Sequence, residues 1–484
     1  MERCSQSKLS QTAVGRQSDA FLASVLAVIG RRCPSMASQT AVAKRQLVRR
    51  RNEIYSGRDR TRGFRPDRAT RLASVTCGSV SDAKQATSAS SRSAGGAPAF
   101  QQPVYITKAL APDELILSRY IRSICDSRWF TNHGVVVREL EARLREHLDV
   151  GLCAVFCNGT TAIQVALRSL ELRGEVVTTP YTFPATVHAI HWCGLTPVFA
   201  DIDPESYNLD PVAAAEAITS RTTALLPVHC FGNPCDVIAF DALARKQGQR
   251  IVYDAAHAFG VRHQGRPIGC WGDLSVFSFH STKVFHTAEG GAVVGSDAEK
   301  YASLAMLRNF AIVNEHEVRG VGVNGKLSEI HAAVGLAVFE RALEEYRRRE
   351  RLFAHYRRRL AEIAGIVVRK LATHTSHNYA YFPVEIDEET FGLSRDQVDA
   401  ALRAENIFAR KYFYPLCSEN DAYRDHPSAD PERLPNAHRL ASRILCLPLY
   451  GDLGRDGIDR IVDSLAAIRE AGPRLRRRIG EAGS

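Results

Sequence analysis

Short apolar runs alternate with stretches of helical periodicity from about residue 150 onward. The runs are CAVFC (153–157), EVVTT (175–179), TPVFADI (196–202), TALLPVHC (223–230), RIVYDAA (250–256), SVFSF (275–279) and GAVVG (291–295). Several of the stretches between them repeat apolar residues at helical spacing over about ten residues. This alternation predicts an α/β domain with a mostly parallel central sheet. A ligand of such a sheet binds at the carboxyl ends of the strands.

The pattern changes in the last third of the chain. Segment 327–360 is predicted as one long helical stretch with exposed arginines, and a strand at 379–386, a helix at 394–405 and a closing helix near 456–470 follow it. Strands and helices arranged in this way predict a smaller α+β domain. We therefore divide the chain into a tail (1–100), a large domain with its N-terminal segment (101–345) and a small C-terminal domain (346–484).

Residues 1–100 are rich in Ser, Arg, Gln and Thr and have no sustained apolar period. A segment of this composition buries too little apolar surface to fold, so a disordered basic tail is predicted. Its apolar patch FLASVLAVI (21–29) is far shorter than the roughly 18 residues that a membrane span requires. The tail is then a solvated extension, a targeting segment or the product of a start codon placed too early.

The formal charge of +10 lies in this tail. Residues 1–100 contain 18 Lys and Arg against 6 Asp and Glu, whereas the other 384 residues contain 45 against 47. A body with this balance argues against binding to a nucleic acid backbone. The twelve cysteines form no CxxC motif and no group with histidine at zinc spacing, so no metal site is expected. Free thiols indicate a reducing compartment, and we expect a cytoplasmic protein.

Three of the predicted strands end in polar residues that would face one crevice. The first is followed by Asn-Gly-Thr-Thr (158–161) at the start of a helix, where free N–H groups attract a phosphate, unless the threonine serves only as a helix cap. The second ends at Asp254, a buried carboxylate that needs a cation, either a pyridinium nitrogen or an ordinary salt bridge. The third is followed by Ser278, which can donate to a phosphate, and by Lys283.

Lys283 lies just past an apolar run, in the stretch SFHSTKVFHTAEGG (278–291). Its ammonium either leaves the strand end for solvent or stays in a pocket, where lost hydration lowers the pKa and makes the amine a nucleophile. Together, a phosphate cradle, an acidic partner for a ring nitrogen and an imine-forming lysine are the parts that pyridoxal phosphate requires. The sequence thus predicts a pyridoxal-phosphate enzyme.

From about Ser127 to the closing helix the chain resembles the DegT/DnrJ/EryC1/StrS family of pyridoxal-phosphate sugar aminotransferases, which have the fold-type I architecture. The motifs that carry the resemblance are NGTTAI (158–163), EVVTTPYTFPAT (175–186), TPVFADID (196–203), LLPVHCFGNPCDV (225–237), YDAAHAFG (253–260), SFHSTK with EGG (278–291), GVNGKLSEIHAAVGL (322–336) and ARKYFYPL (409–416). They cover roughly three quarters of the chain, in the order and spacing of the family.

The resemblance implies a role for each candidate residue. Lys283 would form the imine with the cofactor and Asp254 would pair with its ring nitrogen. Residues that would hold the phosphate are Thr160, Thr161 and Ser278. In related sugar 3-dehydratases a histidine replaces the lysine and transamination is lost, so Lys283 implies a transaminase in which this lysine acts as general base and then acid.

Three further residues take their roles from the same resemblance. Phe183 would stack on the cofactor ring, and His257 would lie near its phenolic oxygen. Asn324 would reach the phosphate of the cofactor in a neighbouring subunit, which implies a homodimer with composite sites. From the residues alone, Asn324 indicates only a turn flanked by glycines.

The segments 128–141, 232–237 and 279–291 are most similar to the subgroup that aminates C4 of nucleotide-linked 4-keto-6-deoxyhexoses with glutamate as donor. The expected substrate is dTDP-4-keto-6-deoxyglucose. Arg410 and Lys411 are candidates for its diphosphate, with a solvated surface pair as the alternative. A 3-keto sugar nucleotide or a keto-inositol is the alternative substrate, and a non-catalytic regulatory protein that binds the cofactor is the alternative of another class.

Overall fold

The computed structural model describes residues 98–482, with side chains described through residue 472. The predicted disordered tail therefore lies outside the described residues except for its last three positions. Of these, Ala99 donates its N–H to the Glu405 carboxylate at 2.7 Å, and Phe100 donates to the Glu405 carbonyl at 3.3 Å. The last residues assigned to the tail thus pack against the C-terminal part of the chain.

The described chain contains the following helices and strands. The helices are α1 (Glu114–Ser127), α2 (Val135–Leu148), α3 (Gly159–Ser169), α4 (Pro184–Trp192), α5 (Pro211–Ala217), α6 (Val237–Gln247), α7 (Lys300–Leu307), α8 (Glu329–Leu360), α9 (Glu388–Phe391), α10 (Arg395–Ala404), α11 (Pro435–Arg443) and α12 (Gly454–Ala482). The strands are β1 (Val104–Tyr105), β2 (Leu152–Phe156), β3 (Glu175–Thr178), β4 (Thr196–Phe199), β5 (Thr222–Leu226), β6 (Arg250–Asp254), β7 (Arg262–His263), β8 (Arg266–Pro267), β9 (Leu274–Ser278), β10 (Gly291–Gly295), β11 (Ile312–Asn314), β12 (Glu317–Val318), β13 (Ile366–Val368), β14 (Thr375–Ser376), β15 (Phe382–Ile386), β16 (Ile407–Phe408) and β17 (Ile444–Leu447).

The central sheet has seven strands in the order β2-β10-β9-β6-β5-β3-β4. β3, β4, β5, β6 and β9 are joined by parallel pairings, and β10 runs antiparallel to both of its neighbours, so β2 points the same way as β9. The prediction of an α/β fold with a mostly parallel sheet is confirmed. Because all the strands except β10 share one direction, the segments that follow them meet at one edge of the sheet.

Helices cover both faces of this sheet. Val155 and Val177 pack on one face with α2 and α8, while their neighbours Ala154 and Val176 pack on the other face with α3 and α4. A strand that is buried on both faces needs apolar residues at every position, which explains why the strands are continuous apolar runs.

A smaller antiparallel sheet, β13-β15-β17, forms a second core with α10 and α12. Helix α8 contributes to both cores: Leu336 packs in the first, and Leu352 and Tyr356 pack in the second. The predicted domain boundary at 345/346 falls inside this helix, so the division into a large and a small domain stays a prediction.

Two elements differ from the sequence-based expectation. The strand predicted at 379–386 begins only at Phe382, because Tyr379 has a φ of 50° and therefore is not extended. The closing helix, predicted near 456–470, covers Gly454–Ala482. Its extra length includes Gly472 and Pro473, which disfavour a helix interior, and then Arg, Leu, Ile and Glu residues, most of which favour a helix.

A buried ion pair anchors β2 at the edge of the central sheet. Arg308 Nη1 lies 2.6 Å from Glu141 Oε1, and the backbone of Val155 donates to Glu141 and accepts from Arg308. Burial by itself raises the pKa of Glu141, but the hydrogen bond from His133 and the charge of Arg308 overcome this effect and lower the pKa to about 2. The Arg308 carbonyl also accepts from the Gly325 N–H at 2.8 Å, which ties the segment around Asn324 to the same strand end.

Candidate active site

A cavity of about 330 Å³ lies at the carboxyl ends of the parallel strands. Six of the eight residues predicted for the cofactor site line it: Thr160, Phe183, Asp254, His257, Ser278 and Lys283. They come from four separate segments of the chain, each at or just after the end of a strand of the central sheet. Thr161 and Asn324 are not among the lining residues.

Lys283 stays in the cavity, and in the described part of the chain it is the only lysine that lines it. Its Nζ donates to the phenolic oxygen of Tyr381 at 3.3 Å. Burial lowers the pKa of Lys283 to about 8, and the nearby Tyr412 and Asp254 oppose this shift only in part. Roughly a tenth of this side chain is therefore a free amine at pH 7, far more than for an ordinary lysine. The free amine is the form that acts as a nucleophile.

Asp254 ends β6 and is buried at the floor of the cavity. Its carboxylate accepts hydrogen bonds from the Thr186 hydroxyl at 2.7 Å and from the Ala256 N–H at 2.9 Å. Burial raises its pKa, and these two donors and the charge of Lys283 counteract the rise only partly. Among the described side chains Asp254 has no salt-bridge partner, so the ordinary salt bridge that the sequence left open is not found there. The carboxylate is thus available to a cationic group in the cavity.

The ring of His257 packs against aromatic side chains. Its ring is nearly parallel to that of Phe413 at 6.0 Å and lies 4.7 Å from that of Tyr381. Nδ1 accepts from the Phe231 N–H at 3.2 Å, so in the neutral ring Nε2 carries the proton. Burial, and then the charge of Lys283, hold the pKa of His257 well below its usual range. His257 therefore presents a neutral N–H donor.

The N-terminus of α3 forms the polar end of the cavity. Asn158 caps the helix by accepting from the Thr161 N–H at 2.8 Å, and the first N–H groups of a helix have no intrahelical acceptor. A Cβ at Gly159 would lie 3.1 Å from the Cβ of Ser278, a tight contact that would require a small shift of Ser278. A Cβ at Gly291 would lie 2.7 Å from the Gly159 nitrogen. The close approach brings the helix end and the Ser278 hydroxyl together as a cradle for an anion.

The two remaining predicted residues lie elsewhere. Thr161 faces Cys157, whose Sγ lies 3.8 Å from the threonine hydroxyl. Asn324 is exposed, and its side-chain oxygen accepts from Lys326 Nζ at 2.7 Å. The roles that the family resemblance implies for both residues stay predictions.

Phe183 stands at the mouth of the cavity with 54% of its surface exposed, although it is a large apolar residue. An exposed aromatic ring beside a polar cavity offers a face on which a planar ligand can stack. A second cavity of about 710 Å³ adjoins the first, since both are lined by Phe183, Arg410 and Tyr412. The combined space suits an extended ligand.

The two adjacent cations of the ARKYFYPL motif have different environments. Lys411 Nζ lies 2.7 Å from Asp396 and 3.7 Å from Asp399, so its charge is already neutralised. Arg410 lines both cavities, lies over the ring of Tyr412 at 5.1 Å, and has no salt bridge among the described side chains. Its backbone exchanges two hydrogen bonds with Cys446, which fixes its position. Arg410 is thus the available cation of the pair.

Sequence reasoning missed Thr186, Tyr381 and Tyr412, which also line the cavity. Thr186 lies inside a motif that was recognised, TFPAT, but no pattern marks it as a partner of Asp254. Tyr381 and Tyr412 come from segments about 100 residues or more beyond Lys283 in the sequence, and only the tertiary fold brings them to it.

No group of three or more His, Cys, Asp or Glu residues in the described part of the chain is placed to hold a metal ion. Within residues 98–482, no helix combines the length and the hydropathy that a bilayer crossing requires.

The fold and the cavity define an α/β protein whose parallel strand ends present an amine nucleophile, a buried carboxylate and an anion cradle. The model of the DegT/DnrJ/EryC1/StrS aminotransferase family matches residues 115–466, and the chain belongs to this family. It is 40% identical to a dTDP-4-amino-4,6-dideoxy-D-glucose transaminase of Shigella dysenteriae over 370 residues, 76% of this chain and 100% of the relative. It is 31% identical to a GDP-perosamine synthase of Caulobacter vibrioides over 72% of this chain and 94% of the relative.

Among solved structures, the chain is similar to DesI crystallised in the presence of its TDP-sugar product. The TM-score is 0.76 at 39% sequence identity, and the match covers 82% of this chain and 100% of that chain.

We predict that Asp254→Asn leaves the stability of the cofactor-free protein unchanged or raises it. The buried carboxylate has a raised pKa, so the folded state loses stability as pH rises from the unfolded pKa toward the folded one, and asparagine removes this loss. Its amide can still accept from Ala256 and can donate to Thr186, whose hydroxyl also contacts Thr182. Urea unfolding at pH 5 and pH 8 measures the effect. A loss of more than about 1 kcal/mol at pH 8 would contradict this view of the carboxylate.

Proposed function

We propose that this protein is a pyridoxal-phosphate-dependent aminotransferase that moves the amino group of glutamate to C4 of a nucleotide-linked 4-keto-6-deoxyhexose. The proposed sugar substrate is dTDP-4-keto-6-deoxyglucose, and the products are the 4-amino-4,6-dideoxy sugar nucleotide and 2-oxoglutarate. The observation that carries the proposal is Lys283, a lysine of lowered pKa in a cavity with Asp254 and the N-terminus of α3. The 40% identity to a transaminase named for this amino sugar supports the choice of substrate.

The residues of the cavity fit the cofactor. The N–H groups of Gly159 and Thr160, with the Ser278 hydroxyl, would hold the phosphate, and Phe183 would cover one face of the ring. The Nε2–H of His257 would donate to the phenolic oxygen, because its other nitrogen is already taken by Phe231. Asp254 would pair with the ring nitrogen, and this cation would lower the raised pKa of the carboxyl.

Bound pyridoxal phosphate would supply an electron-accepting ring that stabilises negative charge on a substrate carbon. The chain supplies the proton transfers. Lys283 Nζ accepts a proton from one carbon and delivers it to another, and its pKa of about 8 suits both directions. Asp254 would stay ionised beside the ring nitrogen and would keep that nitrogen protonated. The rings of Tyr381 and Phe413 pack against His257 on this side of the cavity.

Incubation with dTDP-4-keto-6-deoxyglucose and glutamate should yield the amino sugar nucleotide and 2-oxoglutarate, detected together by mass spectrometry. Lys283→Ala should remove turnover, because no other lysine among the described residues lines the cavity. A 3-keto isomer and a keto-inositol serve as competing substrates. Turnover with only one of these two would reject the proposed substrate and leave the aminotransferase activity standing, and no turnover with any of the three would favour the regulatory alternative.

Arg410 is proposed to bind the diphosphate of the sugar nucleotide, because it lines both cavities without an acidic partner. Arg410→Met should raise KM for the sugar nucleotide by roughly 10- to 100-fold, since a charge-assisted hydrogen bond contributes about 1.5–3 kcal/mol. Lys411→Met is the matched comparison, and its effect should be smaller because Asp396 and Asp399 already neutralise Lys411. Steady-state kinetics on both variants measures KM for the sugar nucleotide. Equal effects in the two variants would reject the assignment.

A second copy of the chain is proposed to cover the surface around Asn324. Phe310, Val321 and Val323 are all exposed, and Phe310 donates its N–H to the Val323 carbonyl at 3.0 Å, so the two segments form one apolar strip. The exposed hairpin β11–β12 continues the strip with Ile312, Val313 and Val318. In the homodimer Asn324 would contact the phosphate in the partner's site. A cytoplasmic location also remains a prediction.

Sedimentation should show a dimer for the wild type and a weakened dimer for Val321→Asp, because a charge in an apolar interface is costly. The dimer variant should also retain less pyridoxal phosphate after dialysis. Val212→Asp is the control, since this valine is similarly exposed (66% against 76%) but lies at the start of α5. A monomeric wild type that holds its cofactor fully would rule out the shared site.

A further inference from the structure

The amino group of Lys283 donates a hydrogen bond to the hydroxyl of Tyr381, with Nζ and Oη 3.3 Å apart. It belongs to a distant part of the chain, immediately before β15 of the smaller sheet. The tyrosine is buried, yet it lines the cavity. The hydroxyl of Tyr381 is not needed for packing, because a phenylalanine ring would fill the same space.

The ring of Tyr381 is held from several sides. It lies 4.7 Å from the ring of His257, and it makes edge-on contacts with Phe231 and Tyr412, both at 5.9 Å. The next residue, Phe382, pairs with Leu447 in the smaller sheet, which fixes the backbone. The phenolic oxygen therefore has a defined position, whereas the lysine is a long flexible side chain that loses much rotamer entropy when it is ordered.

The chemistry of the phenol suits this contact. Burial raises the pKa of Tyr381 well above its usual range, so the phenol stays protonated at working pH. A protonated phenol can accept from an ammonium group and can donate to a free amine, so it binds both protonation states of Lys283, and it binds the ammonium more strongly because that hydrogen bond is charge-assisted. A residue that moves a proton between two carbons must be held in place in both states.

We propose that Tyr381 is a positioning residue that holds the amino group of Lys283 whenever this group is not bonded to the cofactor. The inference rests on the proposed function, because it assumes that Lys283 is the lysine that forms the covalent bond. It adds to the site a residue that immediately precedes a strand of the smaller sheet.

The test is Tyr381→Phe, which removes one oxygen atom and keeps the ring. Turnover should fall by roughly 10- to 100-fold, as is typical when a reacting group is no longer aligned. The matched control is Tyr379→Phe, two residues earlier. The hydroxyl of Tyr379 does not line the cavity and donates to Glu350 at 3.1 Å. The control should keep wild-type turnover, and melting temperatures of both variants should stay close to that of the wild type.

A second readout does not depend on turnover. Cofactor-free protein is mixed with pyridoxal phosphate, and the rate at which a borohydride-reducible adduct appears on Lys283 is measured against pH. This rate rises as Nζ loses its proton. Tyr381→Phe removes an acceptor of the ammonium group, so the pKa of Lys283 falls and the midpoint should move to lower pH by on the order of one unit. Asp254, His257 and Tyr412 also face Lys283, and all three are unchanged in the variant.

The outcomes separate the two proposals. A midpoint and a turnover in Tyr381→Phe that match the wild type would overturn the role of Tyr381. A lower turnover with an unchanged midpoint would also overturn it, since a general loss of packing would explain that result. If borohydride labels a lysine other than Lys283 in the wild type, the proposed function itself fails.

Discussion

The shared direction of the parallel strands is the constraint on which the rest of the structure depends. Because β2, β5, β6 and β9 point the same way, the segments after them meet at one edge of the sheet. This edge brings together a helix N-terminus, a carboxylate and a lysine that are far apart in the sequence. The helices on both faces close the sheet from water, so the cavity at its edge is the place where buried polar groups can remain accessible to a ligand.

Burial acts on the two central groups in opposite directions. It lowers the pKa of Lys283 and raises the pKa of Asp254, because it disfavours the charged form of each. The protein by itself thus shifts both groups towards their neutral forms. A ligand with an aldehyde, a cationic ring nitrogen and a phosphate would satisfy both groups and the end of α3 together. The proposed cofactor would therefore offset the cost of burying these ionisable groups.

Similar side chains at neighbouring positions of this chain lie in different environments. Arg410 and Lys411 are both cations in one motif, yet Lys411 is neutralised by two aspartates of the neighbouring helix and Arg410 is free between two cavities. The two tyrosines Tyr379 and Tyr381 differ in the same way. Tyr379 contacts Glu350 near the surface and Tyr381 contacts Lys283. In both pairs, one side chain is paired with a carboxylate and the other lines the cavity that contains Lys283.

The sequence by itself determined the α/β class, the positions of the main strands and the residues that follow them, because apolar periodicity and strand-end motifs are local signals. It also determined the family, through motifs that recur in order. Only the tertiary structure decided that Asp254 lacks a salt bridge, that Thr161 faces Cys157, and that Tyr381 contacts Lys283. These contacts join segments up to about 100 residues apart or depend on the direction of one side chain. No local sequence pattern encodes such contacts or side-chain directions, because they follow from how the helices and the second sheet pack against the strand ends.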